Sequence, residues 1–304
     1  MDRFLTEVVS ATRAASRSEV QRWLEAGRVA LNGVTVSSAK QRMTLGDRVD
    51  VVPLAPQRSE AAPEKDVAFE IVYEDDDIVV VNKPPGLVVH PAAGHSGGTL
   101  VNGLLGRGLF RAFEGGADED AHVRPGIVHR IDKGTSGLLV VARHAAAREH
   151  LKAQFQAHSI ERAYEALVVG RATSRTCSTL HGRHPTSRLK FSGRVKSGKR
   201  AVTHVEVVDA WEQATLVRCT LETGRTHQIR VHLSESGTPI LGDALYGKPP
   251  KDPDLRRISE ALGRPALHAG VLGFVHPATQ KTVRFVAPLP PDFSDALAAL
   301  RDMS

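Results

Sequence analysis

The stretch Arg124-Pro-Gly-Ile-Val-His-Arg-Ile-Asp-Lys-Gly-Thr-Ser-Gly137, followed by apolar Leu138-Leu-Val-Val-Ala142, places one carboxylate, Asp132, in a glycine-punctuated loop. An ionised aspartate can add covalently to an electrophile or take a proton, and both routes make or break bonds without a cofactor. Gly126, Gly134 and Gly137 permit positive φ or close approach to a ligand. The Leu-Leu-Val-Val run predicts a strand that anchors the loop on a sheet. The same spacing would also let Asp132 pair with Arg130 or Lys133 on a solvated turn, and composition alone does not choose between these.

Other chemistries find little support. Lys133-Gly134-Thr135 lacks the upstream glycines of a phosphate loop, and the glycines at 94–98 fit neither that nor a dinucleotide fingerprint. His227 and His232 have no matching carboxylate or cysteine set, so they read as structural and no metal site is expected. Cys177 and Cys219 form no tight motif and suit core thiols in a reducing compartment. No cofactor is expected.

The elements that must position Asp132 belong to a chain of 304 residues, 41% apolar, which allows two domains. A net charge of +6 favours an anionic partner, with nucleic acid first among them. No signal core follows the N-terminus and no run approaches the ~18 apolar residues of a membrane span, so a cytoplasmic protein is expected.

Residues 1–53 read as helix, helix, hairpin and strand. Phe4, Leu5 and Val8 lie at helical spacing, and Ser16-Arg-Ser-Glu19 is a capping-box pattern before Val20, Trp23 and Leu24. Asn32-Gly33 between apolar flanks is a hairpin signal, and Gly46 to Val52 supplies a further strand. Residues 54–68, rich in Pro, Ala and charge, read as a linker. From residue 69 strands are predicted at 69–73, 78–81, 138–142, 164–169, 216–221 and 283–287, with helices at 100–105, 145–158, from Gly224, and at 293–300. The acidic segment 115–120 is left as a loop. Lys83 reads either as a phosphate contact or as a plain surface lysine. Arg183, Arg188, Lys190, Arg194, Lys196, Lys199 and Arg200 stand without an acidic residue among them and suggest a basic hairpin for an RNA backbone.

His129-Arg-Ile-Asp-Lys-Gly-Thr-Ser-Gly137 resembles the signature loop of the RluA-type pseudouridine synthases. Val81-Asn-Lys-Pro84, Val88-Val-His-Pro91, Tyr164 to Gly170, Ala201-Val-Thr-His204, Leu221 to Leu233, Gly242-Asp-Ala-Leu-Tyr-Gly247 and Ala266-Leu-His-Ala269 match in the family's order. Gly134 departs from the family's usual acidic residue, and Arg162-Ala163-Tyr164 from its usual Lys-x-Tyr. Residues 1–53 resemble the S4-type RNA-binding domain.

The resemblance implies an α+β fold: a catalytic domain over 69–304 on a mixed, mostly antiparallel sheet, preceded by the small S4-like α+β domain. It implies Asp132 as nucleophile, Arg225 as the cation that keeps it charged, and Tyr164 against the uracil face. It further implies Ile229 as an apolar wall, Arg130 as the side chain that helps flip the base, and Arg13, Arg17, Arg22 and Arg28 as RNA contacts. The substrate it implies is uridine in large-subunit (23S) ribosomal RNA, free or in the assembling subunit, acted on by a monomer. Two other classes stay open: a non-catalytic RNA-binding assembly factor on the same fold, and a carboxylate glycosidase, which would need a second acid.

Overall fold

The computed structural model describes residues 20, 23–38, 41–44, 46–52, 61–91, 97–109 and 126–303. They fall into two compact units, Met1–Ser59 and Glu60–Ser304. In the first, strands β1 (Val29–Leu31), β2 (Val34–Thr35) and β3 (Val49–Val51) form an antiparallel sheet in the order β2-β1-β3. Asn32 and Gly33 both take positive φ, 51° and 80°, as the tight hairpin turn requires. The Asn32 side chain donates to Asp47 and accepts from the Arg48 N–H, both at 2.8 Å, tying the hairpin to the turn before β3. Val20, Trp23, Leu24 and Val29 make the core. Arg28 is exposed beside β1. Arg13, Arg17, Arg22, the expected first helix and the capping box lie outside the described residues.

The second unit runs β4 (Glu70–Glu74), β5 (Ile78–Lys83), α1 (Leu100–Gly106), β6 (Ser136–Ala142), α2 (Ala145–Gln156), β7 (Glu161–Val169), β8 (Arg175–Arg183) and β9 (Phe191–Ser192). It continues with β10 (Lys199–Ala210), β11 (Ala214–Leu221), α3 (Gln228–Glu235), α4 (Pro253–Leu262), β12 (Leu267–Val275), β13 (Thr282–Val286) and α5 (Pro291–Asp302). One sheet takes the order β4-β5-β6-β12-β7-β11-β10-β8-β9, with β13 on β12. All its strand pairs are antiparallel except β6 with β12. The fold is therefore α+β on a largely antiparallel sheet.

The apolar runs of β5 and β6 follow from burial on both faces. Val79, Val81, Leu139 and Val141 face a core shared with α1, α4 and α5, while Ile78, Val80, Leu138 and Val140 face a second core with α2. In β11, Val217, Cys219 and Leu221 are buried while Arg218 and Thr220 are exposed, the alternation expected of a strand with one wet face. Cys177 and Cys219 are free thiols. Among the described residues no helix is long and apolar enough to cross a membrane.

Three expectations change. Residues 61–68, expected within the linker, are bound to the second unit: Asn102 donates to the Ala62 carbonyl, Gly98 N–H to the Glu64 carboxylate, and Arg107 to the Val67 carbonyl. The helix expected from Gly224 starts only at Gln228, because His227 adopts a left-handed conformation with φ 60°. Lys83 is neither a phosphate contact nor a surface lysine, being fully buried at the end of β5.

Candidate active site

Asp132 sits in the turn that leads into β6, and its loop is fixed from several sides. Thr135 N–H closes the turn on the Asp132 carbonyl at 3.0 Å, and Gly86 N–H donates to the Lys133 carbonyl at 2.8 Å. Arg264 donates to the Gly134 carbonyl at 3.2 Å while forking onto Asp292 at 2.6 and 2.8 Å. Upstream, His129 accepts the Val140 N–H at 3.0 Å and stacks on Phe155. Burial, and then the Arg162 charge, press its pKa down to about 3, so this imidazole is neutral. Gly137 has φ 114° and lies so close to the Ala269 carbonyl on β12 that a Cβ there would collide with it. Only glycine lets β6 and β12 approach at this point.

Lys83 contributes from beneath. Its amine donates to the Pro84 and Lys133 carbonyls at 2.8 and 3.2 Å. Burial, then Arg264, lowers its pKa from 10.5 to about 7, while Asp132 acts the other way. A neutral amine has two N–H groups, enough for these two carbonyls. Between pH 7 and 10.5 the unfolded chain thus holds a proton that the folded one has released, so this group's contribution makes stability rise with pH across that window. Lys83→Met should flatten the rise in denaturant midpoints measured over that range, and an unaltered profile would show that another group titrates.

The sheet register brings Tyr164 to the same place, since it pairs with Ala269 of β12 on one side and Cys219 of β11 on the other. Burial holds its hydroxyl protonated, with Arg162 opposing and Asp132 reinforcing the shift. Asp132, Tyr164, Arg225, Arg130 and Ile229 all border one cavity of about 510 Å³. Ile229 is buried in its wall, and Arg130, exposed at the rim, contacts the His90 ring nitrogen at 3.2 Å.

The cation held against Asp132 is Arg230, not Arg225. Arg230 Nη1 donates to Asp132 Oδ2 at 3.0 Å, while its Nε and Nη2 grip both oxygens of Asp243 at 2.7 and 2.8 Å. Burial works against this guanidinium's charge, but the two carboxylates outweigh it and its pKa is raised. Arg225 lies on the turn before α3, where its Nε donates to the Arg200 carbonyl at 3.2 Å. With α3 starting at Gln228, Arg230 falls in its first turn, and side chains there lean back toward the N-terminal end, which faces Asp132. Among the described residues Asp132 Oδ1 has no hydrogen bond, so the two carboxylate oxygens differ, one held by Arg230 and the other not.

His227, expected as structural, borders the same cavity, with Nε2 3.8 Å from Asp132 Oδ2 and Nδ1 2.8 Å from the Tyr246 hydroxyl. His232 is structural, bonded to Thr179 and Thr203 at 2.9 Å each. Among the described residues one group of metal-type side chains, Asp75, Asp77 and His276, gathers elsewhere, at the turn between β4 and β5. Its atoms cap that turn. Asp75 accepts the Asp77 and Ile78 N–H groups, the Tyr73 hydroxyl and His276.

The model of the RNA pseudouridylate synthase family matches residues 77–235, and that of the S4 domain residues 4–49. An uncharacterized RNA pseudouridine synthase, YlyB, of Bacillus subtilis is 43% identical over 99% of this chain and 94% of its own. Ribosomal large subunit pseudouridine synthase D of Xanthomonas campestris is 42% identical over 95% of this chain and 86% of its own. That of Neisseria meningitidis is 42% identical over 94% and 75%. Among solved structures, human RNA pseudouridylate synthase domain containing 4 superposes with a TM-score of 0.59 at 25% identity, covering 76% of this chain and 93% of its own.

Proposed function

Because the chain belongs to the RNA pseudouridylate synthase family, we propose that it isomerises specific uridines of large-subunit (23S) ribosomal RNA to pseudouridine, with Asp132 as nucleophile. The observation that carries this reading is the asymmetry of that carboxylate, whose Oδ2 is bonded to Arg230 while Oδ1 has no hydrogen bond among the described residues. The reaction breaks the bond from ribose C1′ to uracil N1, turns the base and joins C1′ to C5. The proton on C5 leaves and one is gained at N1, so atoms balance with no redox change. Oδ1 can add to the nucleotide or take a ribose proton, and Arg230 stabilises the charge on the carboxylate in either case.

A uridine stacked in folded RNA must first be turned out into the cavity. Tyr164 then lies against the uracil and Ile229 walls the pocket, while Arg130 at the rim fills the space the base has left. The basic hairpin of β8 and β9 suits the RNA backbone: Arg183, Arg188 and Arg194 are exposed, and the Arg183 guanidinium lies 4.4 Å over the Phe191 ring. Arg13, Arg17, Arg22 and Arg28 of the S4 unit add phosphate contacts. A two-carboxylate glycosidase is disfavoured. Asp243, the carboxylate that shares Arg230 with Asp132, is buried, and its oxygens are taken by Arg230 and by the N–H groups of Leu245 and Tyr246. Mapping pseudouridine in 23S ribosomal RNA from cells with and without this protein should show specific positions lost with it. An identical map in both would refute the substrate assignment.

A further inference from the structure

The Tyr246 hydroxyl sits between two partners. It accepts the Phe191 N–H of β9 at 2.8 Å and lies 2.8 Å from His227 Nδ1. Burial raises the Tyr246 pKa, so the hydroxyl keeps its proton, and with the Phe191 N–H already directed at the oxygen that proton is free for Nδ1. Burial foremost, with Arg230 and Arg130 adding to it against Asp132 and Asp243, lowers the His227 pKa and favours the neutral ring. A neutral ring that accepts at Nδ1 carries its hydrogen on Nε2. Nε2 faces Asp132 Oδ2, the oxygen already bonded to Arg230. The opposite tautomer would turn a lone pair toward an anion.

The backbone marks the same residue. His227 holds φ 60° and ψ 18° at the N-cap of α3 without any side-chain capping bond. Non-glycine residues rarely adopt that region, and such backbone strain gathers at functional sites. Here it presents the ring edge-on between Phe191 and Tyr246, at centroid distances of 5.7 and 5.5 Å.

We infer that His227 is a positioning residue for the reaction: its Nε2–H, in the tautomer fixed by Tyr246, is the second donor on Asp132 Oδ2, so that Oδ1 is the oxygen turned to the base. At 3.8 Å the two atoms attract without a full hydrogen bond, and a shift of under an ångström as substrate fills the cavity closes it. Because Tyr246 also holds β9, the seating of the basic hairpin is linked to the orientation of the carboxylate.

The inference rests on Asp132 being the reactive group, and the experiment separates the two. Using the full chain and a 23S ribosomal RNA transcript, His227→Asn should lower kcat by about 10²-fold, the scale of a misplaced reacting group, with KM within about twofold. His227→Gln, whose amide N–H reaches the Nε2 position, should recover much of the loss. Tyr246→Phe should lower kcat in the same way, and the Tyr246→Phe/His227→Asn double variant should be no worse than His227→Asn alone, since Tyr246 acts through His227. A wild-type kcat in folded His227→Asn, or fully additive losses in the double variant, would overturn the inference. Should His227→Asn fail to fold, Tyr246→Phe decides alone, and an unchanged kcat there overturns it too. If Asp132→Asn is itself active, the reading of Asp132 fails; if that variant is dead and the His227 variants are normal, only the positioning role fails.

Discussion

Asp132→Asn should leave a folded protein that binds RNA and forms no pseudouridine. The amide oxygen can still accept from Arg230, which keeps its fork on Asp243, so the loop and its surroundings stay in place. What is lost is the negative charge, and the free position is occupied by a group that neither adds to a nucleotide nor takes a proton at useful rates. Single-turnover product should fall below detection while RNA affinity stays within about threefold, separating chemistry from binding. Activity in the purified variant, with host enzyme excluded, would remove Asp132 from the centre of the mechanism.

Arg230→Met should harm both stability and catalysis, and here it differs from Arg225→Met. Removing the guanidinium strips two carboxylates at once, and one of them, Asp243, has a side chain only 1% exposed. Leaving a buried ion without its partner costs about 3–5 kcal/mol, which a denaturant melt resolves readily. Turnover should drop by at least about 10²-fold, as for loss of a preorganised charge at a reacting group. Arg225→Met removes a bond to one backbone carbonyl, so its midpoint should stay close to wild type. Equal melting losses for the two variants would contradict the assignment of Arg230.

The exchange of Arg225 for Arg230 shows where the sequence stops being legible. Local signals translate directly when one or two residues decide them: Asn32-Gly33 makes its hairpin, and the glycines around Asp132 make a loop anchored on β6. The start of α3 depends on His227 taking a left-handed conformation, and a histidine followed by glutamine gives no sign of that. A helix started at Gly224 puts Arg225 in its first turn; started at Gln228, it puts Arg230 there. Both arginines stand in the matched stretch Leu221 to Leu233, so the sequence marks the segment but not which arginine meets Asp132. The burial of Lys83 is illegible for a different reason, since lysines are rarely buried and its two carbonyl partners come from the adjacent Pro84 and from Lys133, 50 positions away. β12 is not legible locally because its burial is decided by elements distant in sequence, whereas α4 carries its own signals, Asp252-Pro253 at its start and Gly263 at its end.

The position of β12 constrains how the protein can be made. In the sheet it lies between β6 and β7, yet it is synthesised after β7 through β11. As the chain leaves the ribosome, β4-β5-β6 and β7-β11-β10-β8 can pair as two separate ribbons, each ending in an open hydrogen-bonding edge where the centre of the sheet will be. Such edges recruit strands from other chains. Asp132 precedes β6 on one ribbon, while Tyr164 on β7 and Arg230 on α3 belong to the other, so β12 is the strand that joins the two halves of the candidate site in one sheet. The same strand closes both inner edges, so the pairing that unites the candidate site also covers the edges most open to association with other chains.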